Sequence, residues 1–225
     1  MNHAVDAPKP FLSDPVCRTQ SPAIHYHYTI PTAKERAIIL ESHDFQTLLA
    51  EADIEFRPPP DYVPCPVREN SVFRYQHAVR SPSGKLEVRY RIDSFARLEA
   101  ERKAADAGME VLASVSLDQM YATNFMAIVL NLSGGMFVEP TVFKPETTTL
   151  LYEADWSALC FVRLANNDFS PDYDSAFVLA IHKDGVADVY VIGLYNDISG
   201  STGSFDKNNL PPDVKSSLAP TLRFT

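Results

Sequence analysis

Residues 72–92, VFRYQHAVRSPSGKLEVRYRI, alternate apolar and polar positions on both sides of SPSG, which predicts two strands joined by a short turn. Phe73, Tyr75, His77 and Val79 then share one face with Leu86, Val88, Tyr90 and Ile92. Arg74, Gln76, Arg80, Lys85, Glu87, Arg89 and Arg91 take the other. A two-residue or a four-residue loop gives this same division, because side-chain direction repeats every second position. Pairing about this turn sets Arg74 opposite Arg91 and Arg80 opposite Lys85.

A second hairpin is signalled by SAFVLAIHK-DG-VADVYVIGLY. Asp184-Gly185 fits a type I′ turn, and the flanking strands are almost continuously apolar. Strands of that kind are covered on both faces and belong at the centre of a sheet.

Helical patterns occupy other stretches. Thr32 and Glu35 have capping-box spacing, and a helix, whole or broken near Ser42, runs from there to about Ala52. SFARLEAERKAADAG predicts a charged helix stopping near Gly108. SLDQMYATNFMAIVLNLSGG predicts an apolar helix from a Ser116/Gln119 capping box to Gly134-Gly135, with a strand at FMAIVLNL as the competing reading. TTTLLYEADWSALCFVRLA is rich in β-branched and aromatic residues and predicts one or two strands. AIHYHYTI predicts a short strand.

This order favours an α+β fold: an antiparallel β-sheet built from two hairpins and additional strands, covered by two to four helices. The expected organisation is an extended arm at 1–23, a single domain at 24–198 and a polar tail at 199–225, wrapping the surface or fraying. Over residues 72–197 the order of elements resembles that of the PsbP-like proteins. That resemblance implies a non-catalytic assembly or binding protein and carries over no individual residue.

Composition narrows the function classes. The 225 residues carry a formal net charge of -9, which argues against a general nucleic-acid binder or a protein of anionic membrane surfaces. The 17 prolines against 8 glycines concentrate in connections such as FRPPPDYVPCPVREN and predict stiffened loops. The N-terminus lacks the pattern of a signal peptide, and FMAIVLNL is far short of a membrane span. Cys17, Cys65 and Cys160 are widely spaced and do not suggest a disulfide framework, so a reducing cytoplasmic setting is expected.

Against that acidic background the first hairpin holds five positive charges and one negative, Glu87. Like charges facing across strands repel, so something negative is needed beside them. An anionic ligand or acidic partner segment is one source, contacted by Arg74, Arg80, Arg89 and Arg91. Internal counter-charge from Asp93 or from Glu99, Glu101 and Asp106 is the other.

The remaining candidates are sparser. His25 and His27 share a strand face, and with His77, His43 or a carboxylate they have the makings of a metal site, yet no H-E-x-x-H or C-x-x-C accompanies them. His77 reads as a hydrogen-bonded core residue and His182 as a strand-end residue. Cys65-Pro66 is similar to the short haem-regulatory dipeptide, while Cys160 reads as core. Glu153/Asp155 and Asp172/Asp174, the latter beside Asn166, Asn167 and Asp168, are paired acids suited to acid–base work or a hard cation. ISGSTGSF lacks the P-loop pattern, and no G-x-S-x-G elbow occurs.

The sequence therefore predicts a non-enzymatic binding or adaptor protein with no cofactor, no assigned metal ligand, no nucleic-acid or membrane partner and its arginine face turned to an acidic group. The alternative is a small-molecule enzyme or ligand-binding protein whose histidine and carboxylate site is assembled only by folding.

Overall fold

In the computed structural model the described residues are 43–68, 70, 72–105, 116–165, 169–196 and 211–225. The arm at 1–23, the strand at 23–30, the helix start at Thr32 and Glu35, the stop at Gly108, Asn166–Asp168 and the ISGSTGSF loop lie outside them. The chain runs through α1 (His43–Glu51), β1 (Ile54–Phe56), β2 (Val63–Pro64), β3 (His77–Arg80), β4 (Leu86–Ser94) and α2 (Phe95–Ala105). A 3-10 turn (Leu117–Gln119) leads into α3 (Tyr121–Ser133), β5 (Thr141–Val142), α4 (Pro145–Tyr152) and β6 (Trp156–Arg163). Then come β7 (Ser175–Lys183), β8 (Ala187–Tyr195), α5 (Pro212–Ser217) and β9 (Leu222–Phe224).

The seven-stranded sheet has the order β2-β3-β4-β8-β7-β6-β5, antiparallel throughout, and β1 pairs with β9 in a separate two-stranded sheet. The fold is α+β, as expected. The apolar strands β7 and β8 lie in the middle of the large sheet and are buried almost throughout. They need covers on both faces, and they have them. One face packs against α1, α4, α5 and the small sheet through Phe45, Leu48, Tyr152, Val214 and Phe224. The other packs against α3 through Phe125, Val129 and Leu132, helped by Phe73, Tyr75 and Phe169 from connections. Each such fully buried side chain stabilises the fold by about 1.5–3 kcal/mol relative to exposure. Among the described residues no helix is long and apolar enough to cross a membrane.

FMAIVLNL is helical, and the helix ends where Gly134 adopts φ 68°. Ser116 makes no side-chain capping bond; the 3-10 turn takes the place of the predicted capping box. The expectation of strands over the whole of TTTLLYEADWSALCFVRLA is corrected. Its first part is α4, started by Pro145 in the first turn and stopped by Glu153 at φ 51°, and only the second part is strand. Thr148 faces Ser157 with Oγ1 and Oγ 2.7 Å apart, so a threonine-rich segment turns helical where its hydroxyl has a buried partner. Residues 211–225, read as part of a polar tail, carry α5 and β9, whose Val214, Leu222 and Phe224 are buried.

His77 sits in the core as expected, stacked 4.6 Å from the Phe45 ring, but Nε2 has no hydrogen-bond partner among the described residues. Burial lowers its pKa to about 4. A histidine kept neutral in the fold protonates more readily when unfolded, so the unfolded state binds more protons between about pH 6.5 and 4. Stability is therefore fully present above that window and falls by up to about 3 kcal/mol as the pH drops through it. His77→Phe removes the orphaned nitrogen while keeping the stack. Urea denaturation at pH 7 and pH 4.5 is expected to show a smaller loss for the variant than for the native chain; equal losses would place the pH dependence elsewhere.

Candidate functional site

Strand β4 turns Glu87, Arg89, Arg91 and Asp93 in alternation toward the face that α3 covers, so four charges line one side of a buried strand. The hairpin takes the four-residue loop. Val79 pairs with Val88 and Arg80 with Glu87, and the Ser81 amide donates to the Leu86 carbonyl at 2.9 Å. The expected confrontations are thus corrected. Arg80 faces Glu87 instead of Lys85, with Nη2 2.7 Å from Oε2. Arg74 never reaches Arg91, because β3 starts at His77. Ahead of it, the Gln76 side-chain amide accepts from the Ile92 amide at 2.9 Å and donates to the Ile92 carbonyl at 3.2 Å, taking the place of the next backbone pair. The chain turns there. Phe73 and Tyr75 consequently join the arginine-bearing face, not the face of Val79, and Arg74 is exposed.

The four predicted arginines therefore have different fates. Arg89 is 1 % exposed: Nε donates to Glu87 Oε1 at 2.8 Å, Nη1 donates to the Phe169 carbonyl at 2.8 Å, and its guanidinium lies 4.5–4.7 Å from the Phe169 and Tyr75 rings. It is internal, and no partner can reach it. Burial works to raise the Glu87 carboxyl, but Arg89 and Arg80 outweigh it and hold the group below its ordinary value. Among the described residues the counter-charge comes from Glu87 within the hairpin and Asp93 just beyond it; Glu99 pairs with Lys103 of its own helix, and Asp106 lies outside the described residues.

Arg91 differs from Arg89. Its side chain is 32 % exposed, Nε donates to Asp93 Oδ1 at 2.8 Å, and the guanidinium packs over Phe73 at 5.2 Å and Tyr190 at 5.9 Å. These groups wall a cleft of about 230 Å³ between the sheet and α3, with Asn124, Ile128 and Asn131 on its helical side. Those three helix positions repeat at i, i+4 and i+7, one face of an α-helix. Burial holds the Asp93 carboxyl above its ordinary value in spite of Arg91, and Asp188, paired across from it on β8, adds to the effect.

Beyond Asp188 the polar network continues away from the cleft. Tyr190 Oη donates to Asp188 Oδ2 at 3.3 Å, and Asp188 Oδ1 lies 2.8 Å from His182 Nδ1. His182 is buried, stacked 4.1 Å from Tyr121, with Nε2 2.9 Å from Asp184 Oδ1. Burial opposes the imidazolium, but Asp188 and Asp184 outweigh it and raise the pKa above the ordinary value. Asp118 Oδ1 accepts from the Gly185 amide at 2.7 Å, and Asp155 Oδ2 accepts from the Asp184 amide at 2.9 Å.

The other sequence candidates separate. His25 and His27 lie outside the described residues. Glu153 pairs with Arg223 and Asp155 caps the turn after β7, so those two acids do not act together. Asp172 lies 3.4 Å from Arg68 and Asp174 3.4 Å from Arg163. Cys65 is buried and burial pushes its thiol up to about 12, so it offers neither a haem-binding thiolate nor a nucleophile. Asn124 and Asn131 were given no binding role from the sequence, where Asn131 marks only a glycosylation-type triplet; two amides seven apart in an apolar helix were the available signal. Asp188 was equally legible only once the turn length was known. Against known families and curated proteins, the chain matches no family model and no curated sequence.

Proposed function

We propose that the protein is a non-enzymatic binding protein that receives a carboxylate in the cleft at Arg91, from an acidic side chain of a partner segment or from a small dicarboxylate. The observation that carries this reading is the placement of Arg91. Its Nε is held by Asp93 and its faces by Phe73 and Tyr190, which leaves the two Nη groups for a ligand in a partly exposed position. A guanidinium fixed in this way loses little freedom on binding. At about 230 Å³ the cleft is smaller than the roughly 300–1,000 Å³ of sites for larger molecules, which suits one carboxylate with a short stem. Asn124 and Asn131 supply amides on the opposite wall. Exposed Arg74, next in the chain to Phe73, adds positive charge to that region. The likeness to PsbP-like proteins in order of elements supports a non-catalytic role.

Calorimetric titration with succinate and with a glutamate-rich peptide tests the proposal. Arg91→Met, which keeps the stem over Phe73, is expected to weaken binding by about tenfold or more, as loss of a charged hydrogen bond of roughly 1.5–3 kcal/mol requires. Native affinity should fall as salt is raised. Unchanged affinity in a folded Arg91→Met variant would remove the cleft from consideration.

A further inference from the structure

We infer that the corner formed by His182, Asp184 and Asp118 is a binding site for a first-row divalent cation such as Zn²⁺ or Mn²⁺. The three side chains come from two distant parts of the chain. His182 and Asp184 flank the end of β7, while Asp118 lies in the 3-10 turn before α3. One ligand atom from each falls within 4.8 Å of the other two.

The imidazole is the strongest element. It is 1 % exposed, stacked on Tyr121, and its Nδ1 faces the buried carboxylate of Asp188, which lies outside the donor set. A carboxylate on Nδ1 fixes a proton there, the arrangement that metal-binding histidines use, so a metal need displace only the Nε2 proton shared with Asp184. Nε2 lies 2.9 Å from Asp184 Oδ1. Two donors each about 2.1 Å from one ion and at right angles to each other stand about 3.0 Å apart. At the tetrahedral angle the separation is about 3.4 Å, so Asp118, within 4.8 Å of the other two, completes the set by a side-chain movement of up to about 1.4 Å.

Charge points the same way. Asp188 on the Nδ1 side of the ring and Asp184 and Asp118 on the Nε2 side bring three carboxylates to one imidazole. Neighbouring Lys183 donates its Nζ to the Glu153 carbonyl at 2.8 Å and so is committed elsewhere. A proton on Nε2 answers Asp184 alone, and the neutral Gly185 amide does not cancel the charge of Asp118. A divalent ion answers both. One nitrogen and two carboxylate oxygens form a mixed donor set suited to zinc or manganese more than to calcium. Asp184 is 75 % exposed, so the remaining coordination positions are open to water.

The full chain, treated with chelator and dialysed, is titrated with ZnCl2, MnCl2 and, as a control, MgCl2. Saturable binding of one Zn²⁺ or Mn²⁺ per chain is expected, with Mg²⁺ much weaker. Asp184→Asn and Asp118→Asn should each weaken it at least tenfold, and Co²⁺ should give a visible d–d absorption band that Asp184→Asn alters. Arg91→Met should leave metal affinity as it is, which separates this site from the cleft. Absence of saturable binding overturns the inference. So does native affinity in both aspartate variants, which would move the metal to other histidines such as His25 and His27. Asp184 is an exposed turn residue, so its variant keeps the test valid if Asp118→Asn fails to fold.

Discussion

Replacing Arg89 with methionine is expected to destabilise the protein by about 3–5 kcal/mol, read as the shift in a urea unfolding curve. The residue carries a positive charge in the core, where it is compensated on every side: by Glu87, by the Phe169 carbonyl and by the rings of Tyr75 and Phe169. Methionine fills much of the volume but supplies neither charge nor donor. Glu87, 2 % exposed, would then depend on Arg80 alone, and a buried charge short of its partner is costlier than no pair at all. The double variant Glu87→Gln with Arg89→Met should therefore recover a substantial part of the loss. A cost below about 1 kcal/mol for Arg89→Met would mean that the pair behaves as a surface contact, contrary to its burial. The same experiment divides the arginines by role, since Arg91→Met is expected to disturb binding with much less effect on folding.

Gly193→Ala is the second large effect, at about 1–3 kcal/mol or more. Gly193 lies in β8 directly across from Phe177 of β7, and a Cβ built on it would fall well inside contact distance of the Phe177 ring. Its φ is not in the left-handed region, so the demand is for space, not for an unusual backbone conformation. Phe177 is fully buried and packs against Phe161, with ring centroids 6.4 Å apart, so it cannot withdraw without disturbing the core. Adding Phe177→Leu should partly rescue Gly193→Ala in thermal unfolding. If alanine alone is tolerated without change in Tm, the ring does not occupy the space over Gly193.

Much of the architecture was legible because it is local. The apolar runs of β7 and β8 announced central strands, and the apolar segment ended by Gly134-Gly135 announced α3. Where reading failed, a tertiary contact had overridden local preference. Threonines 147–149 favour strands by propensity, yet Pro145 and the Thr148–Ser157 contact make the segment helical. Phe73 and Tyr75 match the apolar face of a strand by parity, yet Gln76 ends the pairing and sends their rings to the face of the arginines.

The candidate sites show the same division most sharply. Sequence by itself determined that an antiparallel sheet would carry charge on one face of β4, because alternation is a property of the strand alone. Whether that charge was internal or available depended on loop length. Four loop residues put Arg80 against Glu87 and let Arg89 be enclosed, while Arg91 remained at the cleft. At the second hairpin the predicted two-residue turn is replaced by a three-residue connection. Lys183 pairs with Ala187, and Gly185 alone of the two turn residues has positive φ, whereas a type I′ turn requires both. One added residue reverses which face each side chain of the returning strand takes. Only that change sets Asp188 opposite His182, and packing of the 3-10 turn then brings Asp118 beside them. Strand character is written in neighbouring residues; the meeting of distant carboxylates on one imidazole is written in the register, which the whole sheet decides.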